Sequence, residues 1–191
     1  MQRLYPWLAA AVAAFALALP PMQAAALETH PLIGQTVPGV PMTDSHDRQV
    51  TLRSRGKPMV VLFWTTWCGR CASALRVTRE VEQRYAASVN VRLINVAVSE
   101  SGRASIAQFL DQNRVQSSVY LDTLGEAADR WHVRAVPALY FVAGDGKVTG
   151  VLEGADIVRT QVQAQVVRLL GGDGVRSSVH WKTPGVSSTR H

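Results

Sequence analysis

The chain has two cysteines, Cys68 and Cys71, set three positions apart in FWTTWCGRCASAL (63–75) behind Trp64 and Trp67. A pair at this spacing can be half a metal site, a haem attachment site, a structural disulfide or a redox couple. A structural zinc site needs four protein ligands. The five histidines (His30, His46, His132, His180 and His191) show no ligand spacing with one another, so no metal is expected. Haem attachment requires histidine directly after the second cysteine, and Ala72 stands there. A structural disulfide across two residues closes so small a loop that it barely restrains the unfolded chain. A reversible dithiol/disulfide pair fits, and it needs no cofactor. In that reading Cys68 is the nucleophile and Cys71 resolves the mixed disulfide. A helix beginning at the pair stabilises a thiolate on Cys68 through its free N–H groups and dipole. Trp67 shields the sulfurs and offers partners a flat apolar surface. Gly69 and Arg70 separate the cysteines. The Arg70 cation opposes the helix dipole but favours the thiolate, which makes the couple more oxidising.

The surrounding pattern supplies elements to hold such a pair. PMVVLFW (58–64) is a continuous apolar run, as expected of a central strand buried on both faces. From Cys68 or soon after, Ala74, Leu75, Thr78, Val81 and Tyr85 recur at helical steps, with Arg76, Arg79, Glu80, Glu82 and Arg84 mostly opposite. Strands are predicted over 90–99, 117–122 and 138–144. Helices are predicted over 101–114, with Ser101 as N-cap, and over 125–133. Asp145-Gly146 marks a hairpin, and an amphipathic helix spans 155–170 with Ile157, Val158, Val162 and Val166 on its apolar stripe. PLIGQTVPGVPM (31–42) reads as irregular chain, and DSHDRQVTL (44–52) as a turn and short strand. Asp44 and Asp47 are turn residues, His132 a helix-terminal surface residue, and Trp131 a packing residue. The order predicts an α/β domain with a mixed sheet. Cys68 falls at the C-terminal edge of a central strand, where open α/β sheets place their chemistry.

Residues 1–26 differ in kind: Arg3, an apolar run from Leu4 to Leu19, Pro20-Pro21, then Ala24-Ala25-Ala26. This is the pattern of a secretory signal peptide, and the run is shorter than the ~20 residues of a membrane-spanning helix. The expected location is periplasmic or otherwise extracytoplasmic, where disulfides persist. Left uncleaved, the segment would anchor the protein in a membrane. No cysteine near the cleavage site could carry a lipid. Residues 27–170 form the expected domain, and 171–191 a polar, disordered tail. The formal charge of +6 is spread over scattered arginines, with no basic run or aromatic-interleaved strip for nucleic acid.

FWTTWCGRC on a strand-to-helix junction, with Ala135-Val136-Pro137 before a late strand, resembles the thioredoxin superfamily. Gly34 to Pro38, Val50 to Leu52, Gly56-Lys57 and the long interval from Cys71 to Pro137 are similar to its extracytoplasmic TlpA/ResA-like, cytochrome c maturation branch. The resemblance covers about residues 32–170 and implies a thioredoxin-like fold with an extra βα unit between the CxxC helix and the proline strand. It implies a cis Pro137 against the cysteines and a Val136 that pairs its backbone with substrate. Implied partners are exported thiol or disulfide proteins, such as apocytochrome c or metal-site cysteines, and a membrane thiol electron donor. The chain departs from the pattern at Leu62 and Ala74, where relatives carry acids, at Arg76 and at Ala138. An oxidising role, a peroxidase and a redox-inert binding or chaperone module are the alternatives. The peroxidase motif is half present, with Thr65 in place but Val61 where proline belongs.

Overall fold

The computed structural model describes residues 30–171; the expected leader and nearly all of the expected tail lie outside them. A seven-stranded mixed sheet runs in the order β2-β1-β5-β4-β3-β6-β7. Its strands are β1 (Val40–Asp44), β2 (Gln49–Leu52), β3 (Met59–Trp64), β4 (Asn90–Asn95), β5 (Val119–Leu121), β6 (Ala138–Val142) and β7 (Val148–Glu153). The helices are α1 (Cys71–Tyr85), α2 (Arg103–Gln112), α3 (Glu126–Arg130) and α4 (Arg159–Leu169). β3 is parallel to β4 and antiparallel to β6, and β4 is parallel to β5.

All six residues of β3 are buried, because the strand carries a core on each face. Val60, Leu62 and Trp64 pack with Ala74, Leu75 and Val81 of α1 and with Val162 and Val166 of α4. Met59, Val61 and Phe63 alternate to the other side, against Trp131, Tyr140 and Leu32. Phe63, Trp131 and Tyr140 form tilted and edge-on ring pairs with centroids 5.2 to 5.5 Å apart. Trp131 is wholly buried, as a packing residue should be, and His132 is exposed. The extra βα unit is present, since β4, α2, β5 and α3 all lie between α1 and Pro137.

Element boundaries differ from the sequence reading in instructive places. Pro41 lies in β1, a strand where irregular chain was expected. Val40, Met42 and Asp44 point inward, and β5 pairs only with Thr43 and Asp44, so one edge of the strand at Pro41 carries no ladder. α1 starts at Cys71, soon after Cys68 as expected, and Cys68 itself lies in the preceding turn. α2 starts at Arg103 after Gly102, whose φ of 126 makes glycine rather than Ser101 the flanking residue. α3 stops early, with His132 in the left-handed region at φ 52. Before α4, a 3₁₀ turn (Gly154–Asp156) and an extended Val158 replace the first helical turn, which leaves Val158 exposed.

Candidate active site

β3 delivers its chain to the C-terminal edge of the sheet, and Thr65 to Arg70 form the turn that leads into α1. Cys68 closes this turn by accepting a hydrogen bond from the Cys71 N–H at 3.0 Å, and Arg70 accepts from Ala74 N–H at 3.1 Å. Arg70 is the N-cap residue and has no side-chain cap bond, so no side chain of that residue competes for the free N–H groups of the first turn. Cys68 and Cys71 are joined as a disulfide with Cα atoms 5.4 Å apart. Burial distinguishes the two cysteines. Cys71 is 0% exposed, whereas Cys68 keeps 9% at the surface. Of the two, only Cys68 reaches the surface.

The second wall of the site comes from the loop before β6. The Val136–Pro137 peptide bond is cis, and the Val136 carbonyl oxygen lies 3.6 Å from Cys68 Sγ. In the disulfide this is a van der Waals contact; a Cys68 thiol at the same place could donate to that oxygen. The Pro137 carbonyl accepts from the Gly154 N–H at 2.8 Å, which ties the loop to the end of β7. A groove of about 240 Å³ is lined by Thr65, Trp67, Val96, Ser99 and Val136 among others, two of which, Trp67 and Val136, adjoin Cys68 in sequence and in space respectively. Trp67 is 63% exposed, and its indole N–H donates to the Ser99 carbonyl at 3.1 Å.

The structure thus brings Trp67, Cys68, Cys71, Val136 and Pro137 together, with Gly69 and Arg70 exposed between the cysteines. Leu62 and Ala74, the two positions where the resemblance implies acids, are buried and apolar. Val61 sits in mid-strand, paired with Arg92 on one side and Tyr140 on the other, inside a ladder that proline would interrupt. The residue that sequence reasoning missed is Glu100. Its carboxylate accepts from the Thr66 N–H at 2.6 Å, from the Asn95 side-chain amide at 2.8 Å and from the Thr66 hydroxyl. Nothing in SESGR (99–103) marks that acid as more than a turn residue; its partners are 34 and 5 positions away. Among the described residues no cluster of three or more His, Cys, Asp or Glu could hold a metal, and no helix is long and apolar enough to cross a membrane.

A vicinal cysteine couple on the strand-to-helix edge of a thioredoxin-like sheet defines a thiol–disulfide oxidoreductase. The AhpC/TSA family model matches residues 33–151, more than half of the chain, and the chain belongs to that family. It is 24% identical over 116 residues to the sporulation thiol-disulfide oxidoreductase A of Bacillus subtilis, covering 58% of this chain and 70% of that one. It is 26% identical over 122 residues to the thiol-disulfide oxidoreductase ResA of the same organism, covering 63% and 67%. Among solved structures, StoA of Bacillus subtilis superposes with a TM-score of 0.60 at 19% identity, over 71% of this chain and 99% of that one. A secreted Mycobacterium tuberculosis disulfide oxidoreductase does so at 0.60 and 20% identity, over 68% and 96%. At these identities the two structural likenesses speak for the fold alone.

Proposed function

We propose that the protein reduces disulfides in exported proteins on the extracytoplasmic side of a membrane. The Cys68 thiolate attacks one sulfur of the partner's disulfide, forming a mixed disulfide and releasing the other sulfur as a thiolate. The Cys71 thiolate then attacks Cys68 Sγ, which frees the second partner thiolate and leaves the Cys68–Cys71 disulfide. Two electrons pass to the partner, and the reverse exchange with a membrane thiol donor restores the dithiol. The observation that carries these roles is the burial difference between an accessible Cys68 and an enclosed Cys71. The reducing direction and the substrates, apocytochrome c or metal-site cysteines, follow the ResA-like resemblance. The extracytoplasmic location rests on the leader-like residues 1–26.

The direction is tested by equilibrating the couple with glutathione or dithiothreitol buffers. A reductant is expected at about −200 mV or below, near thioredoxins and glutaredoxins, whereas a value near about −120 mV would mark an oxidant.

A further inference from the structure

Glu100 holds a position that the exchange chemistry does not explain. It follows a 3₁₀ turn (Ala97–Ser99) that is closed on itself: Ser99 N–H and Glu100 N–H donate to the Val96 and Ala97 carbonyls, both at 3.1 Å, and the Ser99 hydroxyl donates to Val96 at 2.8 Å. From this turn two ties cross to the segment before Cys68. The Glu100 carboxylate takes both donors of Thr66, and the Ser99 carbonyl takes the Trp67 indole. The carboxylate is itself anchored by Asn95, a fully buried residue that ends β4 and pairs in register with Trp64 at the end of β3. Sheet, Asn95, Glu100 and Thr66 therefore form one connected path to the two residues before the nucleophile.

Such a path is costly to maintain without a use. A half-buried carboxylate needs its donors, and bonds to an ionised acceptor are stronger than neutral ones. The path fixes the backbone of Thr66 and the Ser99–Glu100 turn, and that turn's Ser99 carbonyl holds the exposed Trp67 indole, whose side chain would otherwise lose rotamer freedom on docking. We propose that Glu100 is a positioning residue that pre-organises the Thr66–Trp67 segment as a docking platform for protein partners, and so favours protein disulfides over small ones. It rests on thiol exchange at Cys68 and acts through Thr66 and Trp67, not on the sulfurs. A protein partner must lie across Trp67 to reach Cys68; a small disulfide need not.

Glu100→Gln keeps the network. Its carbonyl oxygen can still accept from the Thr66 N–H and Asn95, and its amide can donate to the Thr66 hydroxyl in place of the bond it receives. Glu100→Ala removes the carboxylate's bonds to Thr66 and Asn95 and leaves the Trp67 indole tied to the Ser99 carbonyl alone. The measurement is the ratio of second-order rate constants of the reduced protein with insulin and with glutathione disulfide. The ratio should fall roughly tenfold in Glu100→Ala, the upper range for releasing one ordered side chain, and stay within about twofold in Glu100→Gln. The Trp67 indole N–H resonance should shift and exchange faster in the alanine variant only. An unchanged ratio in Glu100→Ala, or an equal loss in both variants, overturns the proposal. Should the alanine variant not fold, Thr66→Val removes one donor alone, and an unchanged ratio there overturns it equally. Wild-type inertness toward both disulfides would instead refute exchange at Cys68 itself.

Discussion

The sulfur of Cys68 lies 3.6 Å from the carbonyl oxygen of Val136, across 68 positions of sequence. That contact joins the two halves of the site. The turn after β3 supplies Cys68, and the loop before β6 supplies the Val136 carbonyl against it. β3 and β6 are antiparallel neighbours, with Phe63 opposite Ala138, so the sheet register itself delivers the two together.

Arg70 is exposed and lies between the cysteines, at the N-cap of α1. Replacing it by Gln removes the charge without the backbone change that proline would bring. The couple should become more reducing by roughly 10–30 mV at low ionic strength, since ~30 mV already corresponds to about 1.4 kcal/mol. At about 1 M salt, where screening acts within ~3 Å, the difference should largely vanish. Equal potentials in wild type and Arg70→Gln at low salt would show that the cation does not act on Cys68.

Trp131 is fully buried between Phe63 and Tyr140, on the face of the sheet away from α1. Trp131→Ala should cost about 3–5 kcal/mol in urea or guanidinium unfolding, through lost contacts and the cavity left behind. The redox potential should not move with it. A loss below about 1 kcal/mol would mean that the surrounding rings collapse into the space.

Asp44 contributes to stability in a pH-dependent way. Burial works against its charge, but the N–H groups of Arg48 and His46 and the Arg48 guanidinium, at 2.7 Å, outweigh that and hold its carboxyl below the ordinary 3.8. A lowered folded-state pKa stabilises above the unfolded value and is lost as pH falls through the folded value. The stability gap between wild type and Asp44→Ala should therefore be full at pH 7 and narrow below 3.8. A gap that stays constant down to pH 2.5 would mean that the carboxylate's charge plays no part.

The parts of this protein that were legible in its sequence are those written in local pattern. β3 is an unbroken apolar run because both its faces are covered, and the spacing of Ala74, Leu75, Thr78 and Val81 gives the buried face of α1 directly. Helix starts were harder to read, because they depend on backbone states at Gly102 and Gly154 that composition does not display. Pro41 concealed a strand because its tolerance depends on where β5 stops pairing. The nearness of Val136 to Cys68 came only from family likeness, and the role of Glu100 from nothing in the sequence. Both are long-range contacts set by which loops share one edge of the sheet.

The central claim is that Cys68 attacks and Cys71 resolves, and trapping tests it most directly. Cys68→Ser and Cys71→Ser proteins, each reduced, are mixed with a disulfide-bonded protein, and adducts are counted by non-reducing electrophoresis and mass spectrometry. The Cys71→Ser protein should accumulate a mixed disulfide through Cys68, because attack survives while resolution is lost. The Cys68→Ser protein should form almost none, since its remaining thiol is enclosed. Adducts through Cys71 in the Cys68→Ser protein, or normal product release by the Cys71→Ser protein, would contradict the assignment.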